Sequence, residues 1–231
     1  MNKNNVEVVV VGGSYPGAMS AWFRSRYPHI AAASWASSAV VQPIVDFQQY
    51  DKQSYTSTVK SGKWCPDLIQ QAMKYVTSEA KKRDSGDSDN FISKQCGLAG
   101  VPDLRTDDWL SYFADIVAGA VQYGGRTDLC NYMKEVEGQD DIAVAQRIVD
   151  YGNKSGDSPT DYDRNVTAST TIDVNSSGRP WSFQYCTEYG WFQSMSEESP
   201  MRSPIVDAEY FSQQCADAFG IDMSSFPRAN Q

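Results

Sequence analysis

Histidine is nearly absent: the 231 residues contain one, His29. With five widely spaced cysteines as the only other soft ligands, no cluster of metal-binding side chains is offered, and neither a metal nor a cofactor is expected. Positive charge is scarce too. Lys plus Arg number 20 against 29 Asp plus Glu, a formal net charge of -9, which repels phosphate backbones and anionic membrane surfaces and argues against a nucleic-acid partner. No long hydrophobic run exists. The most apolar stretch, Ile30 to Val41, is broken by Ser34, Ser37 and Ser38 and falls short of the ~18–20 residues of a membrane span. The leading Met1-Asn2-Lys3-Asn4-Asn5 lacks the apolar h-region of a signal peptide, internal repeats are missing, and Gly-Lys-Ser/Thr of a P-loop is not found.

What is present is core-forming material. Hydrophobic residues make up 41% and aromatics 12% of a chain long enough for one large domain, or for a core with an inserted subdomain, so disordered and small disulfide-scaffold classes are excluded. Five cysteines and Asn-x-Ser/Thr sequons at Asn153, Asn165 and Asn175 point to the secretory pathway, in conflict with the missing leader.

Val6 to Val11 is a β-branched run ending at Gly12-Gly13, which fits a strand buried on both faces of a parallel sheet. A helix is expected from Pro16 to before Pro28, with Ala18, Ala21, Trp22 and Ser25 on one face, then a second buried strand over Ile30–Trp35. Strand, turn, helix, strand is an α/β signature. From about Pro43 longer helical patterns take over: an apolar stripe Leu68, Ile69, Ala72, Met73, Val76, a helix capped by Thr106, and shorter helices near Thr127–Glu137 and Asp140–Tyr151. A solvated loop is expected over Gly152–Arg179 and a last helix over Asp207–Phe219, stopped by Gly220.

Ser14 sits at a Gly-flanked turn between the first strand and helix. In that position a serine hydroxyl stands above the sheet edge, and the Tyr15 N–H at the helix start could stabilise an oxyanion. Pro16 breaks the strict G-x-S-x-G pattern, so the residues alone leave two readings open: a catalytic serine, or a phosphate-binding or merely structural glycine turn.

Three blocks carry a resemblance: Gly12 to Arg24 with Tyr27-Pro28-His29 and Ser37-Ser38-Ala39, Trp181 to Gln193, and Gln214 to Gly220. Together they resemble the lysosomal Pro-Xaa carboxypeptidase family of serine exopeptidases. The resemblance implies an α/β-hydrolase core interrupted by a mostly helical cap. On this sequence it implies a core segment at 1–45 with the nucleophile elbow, the cap at 46–180 and a return segment at 181–231. It further implies Ser14 as nucleophile, the Tyr15 amide as oxyanion donor, and Ala18 and Trp191 as walls of the pocket that receives proline, with packing in the core as the other reading of Trp191. It pairs Cys186 with Cys215 and Cys65 with Cys130 and leaves Cys96 odd, although five cysteines by themselves allow several connectivities.

The same resemblance implies a peptide substrate, a lysosomal or secreted location for the full-length protein, no cofactor, and leaves a homodimer of that protein open. It places the triad Asp and His late in the family's chain, beyond the cap. His29 belongs instead to the helix terminus, more than ~10 Å from Ser14 across about eleven helical residues. A fragment of an exopeptidase is therefore expected, cleaving next to proline in a direction the sequence does not fix. Glu188 could bind an amine or be structural. Two alternatives stand beside this: an inactive relative whose cap is a binding module, and a different acyl hydrolase completed by parts from elsewhere.

Overall fold

A computed structural model describes residues 6–221. The chain divides between Ile44 and Val45 into two compact units. It is mostly helical, with one two-stranded parallel sheet.

In the first unit β1 (Val9–Gly13) runs into α1 (Ser14–Arg26), and β2 (Ala33–Ser37) returns parallel to β1 in the register Val9 to Ala33 through Gly13 to Ser37. Helix α1 ends where expected: Tyr27 precedes Pro28 and cannot hold a helical backbone, while Arg24 and Arg26 complement the dipole of the last turn. The sheet-facing side of α1 differs from the expected Ala18, Ala21, Trp22 and Ser25. Of those four only Ala18 is buried, and Gly17 and Ser20 join it, because close approach of helix to strand selects the side with least bulk; Trp22 lies half-buried, donating Nε1–H to the Val41 carbonyl at 3.0 Å.

The strands are not buried on both faces. Val9, Val11 and Trp35 are 55%, 66% and 67% exposed, since among the described residues α1 covers one face of the sheet only. Ile30, placed in the second strand by the sequence, stays in the preceding turn and is exposed.

The second unit is built of α2 (Gln48–Val59), α3 (Trp64–Asp84), α4 (Phe91–Leu98), α5 (Thr106–Gln122), α6 (Arg126–Lys134) and α7 (Asp141–Ser155). These are followed by short α8 (Arg164–Thr167) and α9 (Gly178–Gln184), and by α10 (Ala208–Phe219). Helix α5 is central, with ten of its 17 residues buried. Trp109 stacks on Phe113 at 5.2 Å and meets Phe91 edge-on at 6.0 Å, while the α3 stripe Leu68, Ile69, Ala72, Met73 and Val76 is buried beside them. Thr106 does not cap α5. Arg105 holds the cap position, and the Thr106 hydroxyl instead donates to Asp84 Oδ1 at 2.6 Å, tying the start of α5 to the end of α3.

The solvated loop begins later than expected. Helix α7, capped by the Asp140 carboxylate, continues through Gly152 to Ser155, and Gly152 packs so closely on Ile116 that an added Cβ would stand 2.6 Å from Cδ1. One 3-10 turn (Pro159–Tyr162) and α8 interrupt the rest, after which Ile172 and Val174 are almost fully exposed. Helix α10 matches its expectation, with Asp207 accepting the Tyr210 N–H and Gly220 in the left-handed region at φ 66°. The last residues of the expected return segment, 222–231, lie outside the described residues.

Irregular chain between α9 and α10 is fixed by buried charge. Arg202 Nε donates to Asp51 Oδ1 at 3.2 Å and Nη2 to Asp115 Oδ1 at 3.3 Å, and Asp51 Oδ2 also accepts the amides of Ser196 and Met201 at 2.9 Å. Arg164 bridges Asp108 at 2.8 Å and Asp217 at 2.7 Å, joining α8 to α5 and α10. Two disulfides add covalent ties: Cys65–Cys130 links α3 to α6, and Cys186–Cys215 links the turn after α9 to α10. Both are the pairs the resemblance implies. Cys96 is free and buried, and burial pushes its thiol up despite Arg83 beside it.

Candidate active site

The elbow is built by backbone contact. Gly13 is extended at φ -117°, ψ 148°, and Ser14, the first residue of α1, turns into the left-handed region at φ 56°. L-residues adopt that conformation rarely and at a cost of order 1–3 kcal/mol, so it persists where the surroundings impose it. The surroundings are Gly12 and Gly17. An added Cβ on Gly12 would lie 2.1 Å from the Pro16 carbonyl oxygen, and one on Gly17 would lie 2.9 Å from the Ser37 carbonyl oxygen. Pro16 therefore does not break the turn: the second position that must lack a side chain is Gly17, one residue later.

Ser14 is exposed at the start of a 13-residue helix whose first turn has no acidic residue and no side-chain cap. The first amides of a helix have no intrahelical acceptor and sit at the positive end of its dipole. Pro16 contributes no N–H, which leaves the Ser14 and Tyr15 amides as the donors at this end. Such a turn can present a nucleophilic oxygen and hold a developing oxyanion on the same few atoms.

Under the turn lies a residue the sequence reading did not single out. Ser20 is 2% exposed, donates its hydroxyl hydrogen bond to the Val10 carbonyl at 3.0 Å, and lies 2.7 Å from Ser34 Oγ, so one side chain ties α1 to both strands. Its signal was a hydroxyl among small residues, six positions after Ser14.

Ser14, Tyr15 and Ala18 thus share the first turns of α1, with Ala18 fully buried. His29 lies past the other end of that helix, about 20 Å along the axis for 13 residues, and is exposed, its ring packed edge-on to Tyr27. Trp191 belongs to the second unit. It is 8% exposed and follows a π-helical turn (Tyr185–Tyr189) and Gly190, and it too is left-handed at φ 56°. Its ring stacks on Tyr189 at 4.6 Å and on Trp181 at 6.1 Å. Among the described residues three non-glycine positions have a left-handed φ, Ser14, Ser38 and Trp191, and two of them are residues to which the resemblance gives a role. Glu188 is exposed on the π-helical turn. Asn153, Asn165 and Asn175 are all exposed.

The family model for serine carboxypeptidase S28 matches residues 1–230. The chain belongs to that family. Among curated relatives, an Arabidopsis thaliana protein named "Probable serine protease EDA2" is 31% identical over 92% of this chain and 42% of its own length. The mouse lysosomal Pro-X carboxypeptidase is 25% identical over 93% of this chain and 46% of its own, and the human thymus-specific serine protease 28% over 96% and 47%. This S28 chain spans about half the length of the curated relatives it matches. Among its described residues no helix is long and apolar enough to cross a membrane.

Proposed function

We propose that this S28 chain carries the nucleophile of a serine exopeptidase that hydrolyses peptides next to proline by acyl transfer. Ser14 Oγ attacks the scissile carbonyl, the Tyr15 amide is one donor to the oxyanion, and a histidine and aspartate outside these 231 residues move the proton and orient the base. The single observation that carries the reading is the left-handed Ser14 at a strand-to-helix turn, within a segment matched by the family. In this reading the first unit is part of an α/β-hydrolase core, and the helical unit supplies the cap inserted into it.

Trp191 is proposed to select proline. A proline ring has no N–H to satisfy, so an aromatic surface is the natural receptor for it, and a rigid stack holds that surface in place. Ala18 is proposed for the same specificity. Two disulfides, three exposed sequons and a relative named as lysosomal support a lysosomal or secreted, glycosylated protein. Cleavage of a C-terminal residue and release of an N-terminal dipeptide both remain within the proposal.

The test assays the full-length protein that contains this chain on two substrates: an N-blocked peptide with a residue after proline, and a free-amine Xaa-Pro amide. Turnover of one and not the other fixes the direction, and Ser14→Ala should lower it by at least about a thousandfold. Full activity in that variant would end the proposal. The remote His29 favours a second reading, a binding module without catalysis, and absence of turnover from the full-length protein would select it.

A further inference from the structure

The geometry points to a further substrate-binding residue, Ser38: its hydroxyl donates a hydrogen bond to the carbonyl attached to the substrate's proline nitrogen, while Ser14 attacks the carbonyl of the proline itself. This deepens the exopeptidase reading and rests on it.

Strand register places the two serines side by side. Strands β1 and β2 are parallel and their last pair is Gly13 with Ser37, so Ser14 and Ser38 are the next residue of each at the same end of the sheet. Paired strands run about 4.8 Å apart. A peptide under attack at Ser14 carries its preceding carbonyl one residue away, a Cα step of about 3.8 Å. A hydroxyl at the end of β2 is therefore at the spacing such a carbonyl requires.

Both positions are held by one backbone contact. A Cβ on Gly17 would lie 2.9 Å from the Ser37 carbonyl oxygen, 3.1 Å from the Ala39 Cβ and 3.1 Å from the Gly12 carbonyl oxygen. The strand that delivers Ser14 and both neighbours of Ser38 thus close on the same glycine, which fixes one serine relative to the other.

Strain marks Ser38 as well. Its φ of 49° is left-handed, like that of Ser14 at 56°. Glycine takes this conformation without steric cost and serine does not. Packing on Gly17 accounts for the turn of the chain but not for the side chain that rides on it. Ser38 is exposed, and its hydroxyl has no hydrogen-bond partner among the described residues.

The chemistry of proline names the group that this hydroxyl meets. Proline has no N–H, so the residue under attack offers no main-chain donor, and the nearest main-chain group on its acyl side is the carbonyl bonded to its nitrogen. A carbonyl only accepts, and a hydroxyl donates to it. The N-blocked peptide and the free-amine Xaa-Pro amide both carry this carbonyl, so the assignment holds for either direction of cleavage.

The test uses the full-length protein that contains this chain and whichever of those two substrates it turns over. Ser38→Ala should lower kcat/KM about tenfold, the size of one lost hydrogen bond. Labelling of Ser14 by a small fluorophosphonate should slow at least about fivefold less than hydrolysis, because that reagent has no such carbonyl. Ser38→Gly should lose the same tenfold in kcat/KM while its denaturation midpoint rises above the parent's, since glycine relieves the backbone. Parental kcat/KM in either variant, or labelling that slows as much as hydrolysis, would overturn the assignment and leave Ser14 as the nucleophile. A parent protein that does not label at Ser14 would overturn the exopeptidase reading and this inference together.

Discussion

The Pro16 carbonyl oxygen stands 2.1 Å from the point a Cβ on Gly12 would occupy, so the strand that delivers Ser14 and the first turn of α1 meet backbone to backbone. Neither partner can give way, since both are main chain. Gly12→Ala should therefore destabilise the protein by about 3 kcal/mol or more, the upper range of overpacking. Gly13→Ala is the control: its backbone is extended and nothing lies within 4 Å of the new Cβ, so its cost should stay below about 1 kcal/mol. Chemical denaturation of the two variants decides the matter. Similar stabilities would show that the elbow is not closed by contact.

Ser20 anchors α1 beneath that elbow. Ser20→Ala removes the bond to the Val10 carbonyl and leaves the Ser34 hydroxyl without it, and should cost about 1–3 kcal/mol in denaturation. A neutral Ser20→Ala would mean that the small residues Gly17 and Ala18 suffice to seat the helix.

The N-terminal arrangement was largely legible in the sequence, because its signals are local: a β-branched run, two glycines, Pro16 near the helix start and Pro28 past its end. Burial of the strands was not legible. A valine run states that a strand is suited to be covered, and Val9 and Val11 are exposed all the same. The charge network in the helical unit was invisible for another reason. Asp51 and Arg202 are 151 residues apart and Asp108 and Arg164 are 56 apart, and no periodicity or spacing rule links such pairs. Trp191 could be named from resemblance, but its left-handed backbone could not, since nothing in the residue type suggests it.

Glu79 gives a pH dependence with a definite sign. It is buried, and burial alone would raise its carboxyl, but the Lys82 ammonium at 2.5 Å and the Phe91 N–H at 2.8 Å outweigh that and hold it below the usual 4.5. A carboxyl whose folded value is depressed stabilises the fold above its unfolded value, and that contribution is lost as pH falls through the folded value. Glu79→Gln should accordingly be less stable than the parent by about 1–2 kcal/mol at pH 7, with the difference closing below about pH 4. A gap that persists unchanged in acid would assign the effect to packing.

Reduction should loosen the helical unit in two unequal steps. Cross-links spanning 65 and 29 residues constrain the unfolded chain by about 4.3 and about 3.6 kcal/mol in the loop-entropy account. Cys65→Ala/Cys130→Ala should thus lower the denaturation midpoint somewhat more than Cys186→Ala/Cys215→Ala. The reverse order would show that the turn carrying Trp191 depends on its disulfide for more than chain entropy.

Ser14 is the centre of the proposed chemistry, and covalent labelling tests that role most directly. The full-length protein containing this chain is treated with a fluorophosphonate, digested, and mapped by mass spectrometry. A single adduct on the Ser14 hydroxyl, abolished in Ser14→Ala together with peptide hydrolysis, is the expected result. An adduct on another serine, or hydrolysis that survives the substitution, would contradict it.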